Sequence, residues 1–149
     1  MRIQGSHRFT APPEAVFAAV RDPAVLLAVI PGCEQVAEVA PDEYEGRILL
    51  RLPGAIGSYR THVRLVDVEP PVRAGLEGRV EGAMGTVDGR ADFVLAPAGT
   101  GTAMDYRGDG RIAGPLARLD SRFAERLAGS LIDQGLRALD ARLAMEDHE

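Results

Sequence analysis

The sequence contains a single cysteine among its 149 residues. No intrachain disulfide can form, and the usage fits a reducing compartment. No window of about 18 apolar residues exists, so no helix is expected to span a bilayer. The N-terminus, MRIQGSHRFTA, lacks an apolar run and does not read as a signal peptide. Positive charge is not in excess. The net charge of −5 argues against a nucleic-acid partner, which needs a basic field. There are only three histidines, and no HxxxH, CxxC or clustered carboxylate pattern, so no metal is expected. GxSxG and phosphate-binding glycine loops are also absent; Gly99-Thr100-Gly101 reads as a hairpin turn. No catalytic residue and no cofactor can be assigned from these patterns.

What is present is ordinary for a globular chain: 46% apolar and 26% charged residues. The length fits one domain over residues 1–149, since domains cluster near ~100–150 residues. Such a chain buries roughly 68–70% of its unfolded surface, enough for a core without staples.

The stretch Gly114–Met145 organises the reading. Leu116, Leu119, Phe123, Leu127, Leu131, Ile132, Leu136, Leu139 and Leu143 recur in steps of three and four, the helical period. Pro115 suits a first helical turn. At ~1.5 Å per residue this helix would be roughly 45 Å long. No other stretch reads as a long helix, so its stripe must be covered by the β-rich middle of the chain.

Arg2 to Phe9 alternates and predicts a first strand. Ala11-Pro12-Pro13-Glu14 stops it and starts a short helix through Val20. A second short helix, Ala24 to Ile30, ends at Pro31-Gly32. From Cys33 the period becomes two. Strands are predicted over Glu34–Val39, Glu43–Leu52, Ser58–Val68, Arg73–Glu81, Thr86–Leu95 and Thr102–Ile112. They are parted by Pro41-Asp42, Pro53-Gly54, Pro70-Pro71, Gly82–Gly85 and Pro97–Gly101. Connections this short favour an antiparallel meander.

Each strand has one charged and one apolar face. Tyr44, Ile48, Leu50 and Leu52 share a side, as do Tyr59, Thr61, Val63 and Leu65. Leu76, Gly78 and Val80, then Val87, Gly89, Ala91 and Phe93, then Met104, Tyr106, Gly108 and Gly110 continue it. This describes a half-solvated sheet covered on its apolar side. Glycines 78, 82, 89, 108 and 110 all fall on that covered side, and Gly129 and Gly135 interrupt the helix. Glycine has no side chain to pack. Curvature accounts for some of them; together they suggest an internal cavity lined by apolar side chains, the usual setting for a lipophilic ligand.

The individual polar candidates carry less. Cys33 reads as a small buried hydrophobe, with no histidine nearby in sequence to activate it. His7 shares the inward face of the first strand, His62 the charged outer face, and His148 the chain end. Tyr44, Tyr59 and Tyr106 are expected inward. Core packing explains any one of them; together, with Thr61, they are the best candidates to orient a ligand carbonyl.

The order of elements, one strand, two short helices, a six-stranded meander and a long closing helix, resembles the helix-grip fold of the START-like, polyketide-cyclase-like (SRPBCC) superfamily. Within it the chain resembles the CoxG family, that of the CoxG subunit of carbon monoxide dehydrogenase. The residues carrying this are Ala11-Pro12-Pro13-Glu14, Asp22-Pro23, Ile30-Pro31-Gly32-Cys33-Glu34, Val66-x-Val68-x-Pro70-Pro71 and Leu76-Glu77-Gly78, with Tyr44 and Gly57-Ser58-Tyr59. The likeness covers nearly the whole chain. It implies an α+β fold in which a curved antiparallel sheet of about seven strands wraps the C-terminal helix. It also implies an apolar cavity, an aerobic carbon monoxide dehydrogenase or related molybdenum hydroxylase as partner, a role at the membrane and the handling of an isoprenoid quinone. Longer members carry a C-terminal extension; this sequence ends at Glu149 in Met-Glu-Asp-His-Glu, so stable attachment through such a tail is not expected.

The resulting expectation is a non-catalytic carrier of a lipophilic small molecule, cytoplasmic or peripheral at the membrane with transient contact. The expected pocket lining is Leu26, Leu27, Ile30, Tyr44, Ile48, Leu50, Tyr59, Thr61, Val63, Leu76, Val87, Phe93, Met104, Tyr106, Phe123, Leu127 and Leu131. Loading is expected between the short helices and the long one. The alternatives are a cyclase or isomerase, which needs an acid or base facing the cavity, and a docking module for the dehydrogenase with an incidental cavity.

Overall fold

The computed structural model describes residues 1–52 and 55–146, leaving aside the side chains of residues 52 and 55. The Pro53-Gly54 turn, the inward side of Leu52 and the chain end with His148 lie outside these. The first strand β1 (Arg2–Phe9) is followed by helices α1 (Pro13–Val20) and α2 (Pro23–Val29). The meander then runs through β2 (Cys33–Ala40), β3 (Glu43–Leu52), β4 (Ala55–Glu69), β5 (Arg73–Gly82), β6 (Gly85–Ala98) and β7 (Gly101–Ala113). A 3-10 turn (Pro115–Arg118) leads into α3 (Ser121–Glu146). These seven strands form one antiparallel sheet in the order β1-β7-β6-β5-β4-β3-β2. Only β1 departs from sequence order, pairing with β7 so that Ile3 faces Gly108 and Phe9 faces Thr102.

The outer face is held in register by charge. Arg60 lies opposite Glu81, Arg64 and Arg90 flank Glu77, and Arg79 lies opposite Asp88, each pair bonded at 2.6–3.3 Å. Exposed cross-strand pairs contribute only ~0.2–1 kcal/mol each, so they specify pairing more than they stabilise it.

The inner face carries two separate clusters. The larger joins Phe9, Val16, Phe17, Val25, Val29, Phe93, Leu95 and Met104 to Leu139 and Leu143 of α3. Phe17 and Phe93 meet with ring centroids 5.9 Å apart. Thr102, fully buried beside it, donates its hydroxyl to the Ala11 carbonyl at 2.7 Å, which fixes the end of β1. The smaller cluster gathers Ile48, Leu50, Val80, Met84, Ile112, Leu119 and Leu127 around Tyr59 and Leu116. Between them α3 is less completely buried: Phe123, Leu127, Leu131, Ile132 and Leu136 are all half-buried, whereas Leu139 and Leu143 are buried.

The closing helix begins later than its apolar period suggests. The 3-10 turn ends at Leu119, which is extended (φ −65°, ψ 140°). Asp120 then caps α3, its carboxylate accepting from the backbone N–H of Arg122 at 2.8 Å and of Phe123 at 3.3 Å. Leu116 and Leu119 keep the helical spacing because a 3-10 turn also places i and i+3 on one side. The α-helix proper has 26 residues, or about 39 Å at ~1.5 Å per residue. Among the described residues, no helix is long and apolar enough to cross a membrane.

Candidate functional site

The interval between the two clusters is an apolar trough of about 220 Å³ on the inner face of the sheet. Its lining comprises Ile3, Val63, Leu76, Val80, Val87 and Ala91 with Gly78, Gly89, Gly108 and Gly110; Met1, Arg79, Arg90 and Asp109 border it. Alternation explains the composition. On β5, β6 and β7 the inward positions at the centre of the sheet are mostly glycine, so the floor is backbone. At Gly78 an added Cβ would meet only the His62 carbonyl and Val63 at 3.5 Å, an ordinary contact. At Gly108 it would lie 2.9 Å from the Arg90 carbonyl and Ala91, so strands there are too close for a side chain.

The remaining glycines serve other ends. Gly82 lies under the Tyr59 ring, where an added Cβ would come within 2.7 Å of it. At Gly135 an added Cβ would meet Pro31 and the Val29 carbonyl at 3.7 Å, an ordinary contact. Gly129 faces open space.

Of the side chains expected from sequence to line a pocket, Val63, Leu76 and Val87 border the trough. Phe93 and Met104 lie in the larger cluster and Ile48, Leu50 and Leu127 in the smaller. Phe123 and Leu131 are half-buried on α3. Leu26 is half-buried, and Leu27 and Ile30, at the end of α2, are exposed. Leu27 and Thr61 border a different groove, of about 840 Å³, whose walls carry Glu34, Glu45, Arg47, Arg60 and Glu81. A further groove of about 750 Å³ presents Gln4, Ser6, Arg73, Asp92, Asp105 and Arg107. Both are larger than the trough, but their charged walls suit water better than a lipophile. Ile3, Val80 and Ala91 border the trough without being singled out from sequence as lining. Their inward alternation is the signal that points to them.

The three tyrosines are used differently. Tyr44 is buried and donates its hydroxyl to the Arg21 carbonyl at 2.9 Å, tying β3 to the end of α1. Burial, then the nearby Glu38 and Asp42 carboxylates, push its phenol up to about 12, against a smaller lowering by Arg21. The Arg21 guanidinium grips Asp42 through two hydrogen bonds of 3.0 and 3.1 Å beside it. Tyr106 is half-buried with its hydroxyl over Gly5; burial and then Asp133 raise its pKa. Tyr59 is 2% exposed, and its hydroxyl has no hydrogen-bond partner among the described residues.

Cys33 is half-buried and its thiol faces the Gln35 carbonyl at 3.5 Å. Burial raises its pKa, the Gln35 contact opposes this and Glu34 adds to it, which disfavours the thiolate. His7 is half-buried edge-on to Phe9, with centroids 4.8 Å apart, and its Nε2 has no partner among the described residues. His62 lies 3.7 Å from Glu43 on the outer face. Among the described residues, no three His, Cys, Asp or Glu side chains converge as a metal site would require.

A sheet folded over a long C-terminal helix, with two short helices after its first strand, defines a START-like helix-grip protein. A START superfamily protein from Mycobacterium smegmatis superposes with a TM-score of 0.74 at 15% identity, covering 97% of each chain. A conserved protein from Geobacillus kaustophilus superposes with a TM-score of 0.92 at 23% identity, over 97% of this chain and 96% of the other. A Rhodobacter sphaeroides protein gives 0.72 at 22% identity, over 97% and 92%. At these identities the likeness is one of fold. The family model for the CoxG subunit of carbon monoxide dehydrogenase matches residues 5–144, and the chain belongs to that family. No protein of curated function matches it.

Proposed function

We propose that this protein is a non-catalytic carrier for a lipophilic small molecule, an isoprenoid quinone, serving an aerobic carbon monoxide dehydrogenase or a related molybdenum hydroxylase. The observation that carries the reading is the glycine-floored trough, walled by Ile3, Val63, Leu76, Val80 and Val87 between two packed clusters. Its volume lies below the ~300–1,000 Å³ usual for drug-sized ligands. It therefore suits a ring or a short stretch of isoprenoid chain, with the remainder of the ligand lying along the half-buried stripe of α3. Membership of the CoxG family supports the choice of partner. Exposed Leu27 and Ile30 offer a small apolar surface for transient membrane contact during loading. The carrier reading is favoured over a cyclase or isomerase because strand carboxylates such as Glu77, Glu81 and Asp88 are paired with arginines on the outer face.

The test is organic extraction of the natively folded protein, expressed in a host that makes isoprenoid quinones, followed by mass spectrometry. A stoichiometric quinone or other lipophile is the expected result. An empty extract, together with dehydrogenase binding that persists when the trough is filled by mutation, would replace the carrier with a docking module.

A further inference from the structure

One end of this acidic chain is basic. The net charge is −5, yet no aspartate or glutamate occurs from Gly46 to Val66 or from Gly110 to Leu119. The antiparallel order brings both segments to the same end of the sheet, where β3 turns into β4 and β7 runs into the 3-10 turn. Leu116, Leu119 and Leu127 pack there with Ile48 and Leu50 in the smaller cluster. Arg51 on β3, Arg118 in the 3-10 turn, and Arg122 and Arg126, about one turn apart on α3, are all exposed. Among the described residues none of these four is in an ion pair, whereas Arg60, Arg64, Arg79 and Arg90 on the outer face are each paired. The acids of this end are engaged or withdrawn: Asp120 caps α3, Glu34 accepts from Ser58, Glu81 holds Arg60, and Glu125 is half-buried. The first turn of α3 carries Arg122 and no acid, the reverse of what the helix dipole favours, so helix stability does not account for it.

The same end is also apolar. Ile56 lies opposite Arg51 and is 72% exposed. Half-buried Leu49 shares the outer side of β3 with Arg51. Its N–H donates to the Gly32 carbonyl at 2.8 Å, which brings the end of α2, with exposed Leu27 and Ile30, alongside. Val80 belongs both to the smaller cluster and to the wall of the trough, so the trough adjoins this end.

We propose that this end is a docking surface for an anionic phospholipid bilayer. Ile56, Ile30 and Leu27 meet the acyl boundary, and Arg51, Arg118, Arg122 and Arg126 take the headgroup phosphates. Apolar contact ringed by basic side chains is the combination that holds a protein at a charged lipid interface. The assignment rests on the carrier reading for its purpose, and it names the face through which the lipophile is exchanged.

The test is flotation with quinone-free vesicles, of pure phosphatidylcholine or with phosphatidylglycerol added. Wild type should bind the anionic vesicles and leave the neutral ones, and should be released at 1 M salt, where the screening length falls to about 3 Å. Arg51→Gln and Arg122→Gln should each weaken binding about fivefold. Ile56→Ser should weaken it about three- to tenfold. Arg8→Gln removes the same charge from an exposed site at the opposite end of the sheet and should change nothing. Equal binding to both vesicles, or equal weakening by Arg8→Gln and Arg122→Gln, would overturn the proposal. So would wild type that ignores vesicles, and dehydrogenase binding through the same arginines would then give the surface to an acidic protein face. Because the vesicles hold no quinone, failure here leaves the extraction result standing. An empty extract with intact vesicle binding would remove the carrier and keep the surface.

Discussion

Replacing Gly78 with leucine should make the protein more stable and less able to bind its ligand. The position is inward, at the floor of the trough, and an added Cβ meets nothing closer than 3.5 Å. A strand glycine costs roughly 0.5–1 kcal/mol relative to alanine, which the substitution recovers. Full burial of a leucine side chain is worth about 1.5–3 kcal/mol, and an open trough supplies about half of it. Lost rotamer freedom takes back about 0.5–1 kcal/mol. The balance is a gain of about 1 kcal/mol, or a Tm rise of about 2–4 °C for a chain of this size. Binding of a quinone analogue should fall at least tenfold, since the side chain occupies the same space. Gly108→Leu provides the contrast. Its Cβ would press on the Arg90 carbonyl at 2.9 Å, so thermal melts should show a loss. A fall in Tm for Gly78→Leu would show that the space is not there. Unchanged binding in a stabilised Gly78→Leu would show that the ligand sits elsewhere.

Three further outcomes follow from the packing. Leu139→Ala, in the larger cluster, should cost about 2–5 kcal/mol in urea unfolding, while Leu131→Ala, half-buried along the looser part of α3, should cost less than half as much. Tyr44→Phe should cost about 0.5–1.5 kcal/mol by removing the bond to the Arg21 carbonyl. Because folding raises the Tyr44 phenol from its ordinary value of 10.0 to about 12, its contribution is intact below pH 10 and is lost as pH climbs toward 12. Wild type should therefore lose stability over that window more than Tyr44→Phe does in parallel melts. Asp120→Ala should lower stability by about 1 kcal/mol by uncapping α3, whereas Asp120→Asn should be near neutral.

Much of the architecture is legible in the sequence because its signals are local. Period-two alternation from Cys33 to Ile112, broken by proline and glycine pairs, marks the meander to within a few residues at each strand end. The proline at position 31 separates the second short helix from the first edge of that meander. The start of α3 is harder to place, because Leu116, Leu119 and Phe123 keep helical spacing through a 3-10 turn. Asp120, a capping residue directly before Ser-Arg-Phe, is the local signal that marks the true start. The site is less legible. Alternation places Tyr44, Tyr59 and Tyr106 on one face, but it cannot say that Tyr44 bonds to Arg21, 23 residues away, leaving Tyr59 unpaired. It likewise cannot separate a glycine that leaves space, such as Gly78, from Gly82, which admits the Tyr59 ring. Those distinctions depend on how the sheet curls and where α3 lands, and both are set by contacts distant in sequence.

The most direct measurement is methyl NMR of the protein during titration with menadione. The account predicts that the methyl signals of Val63, Leu76, Val80 and Val87 shift together and show intermolecular contacts to the ring, while Val16 and Leu143 in the larger cluster stay put. Shifts confined to the outer face, at Val94 for example, or saturation of the ligand with no change at the trough methyls, would contradict it.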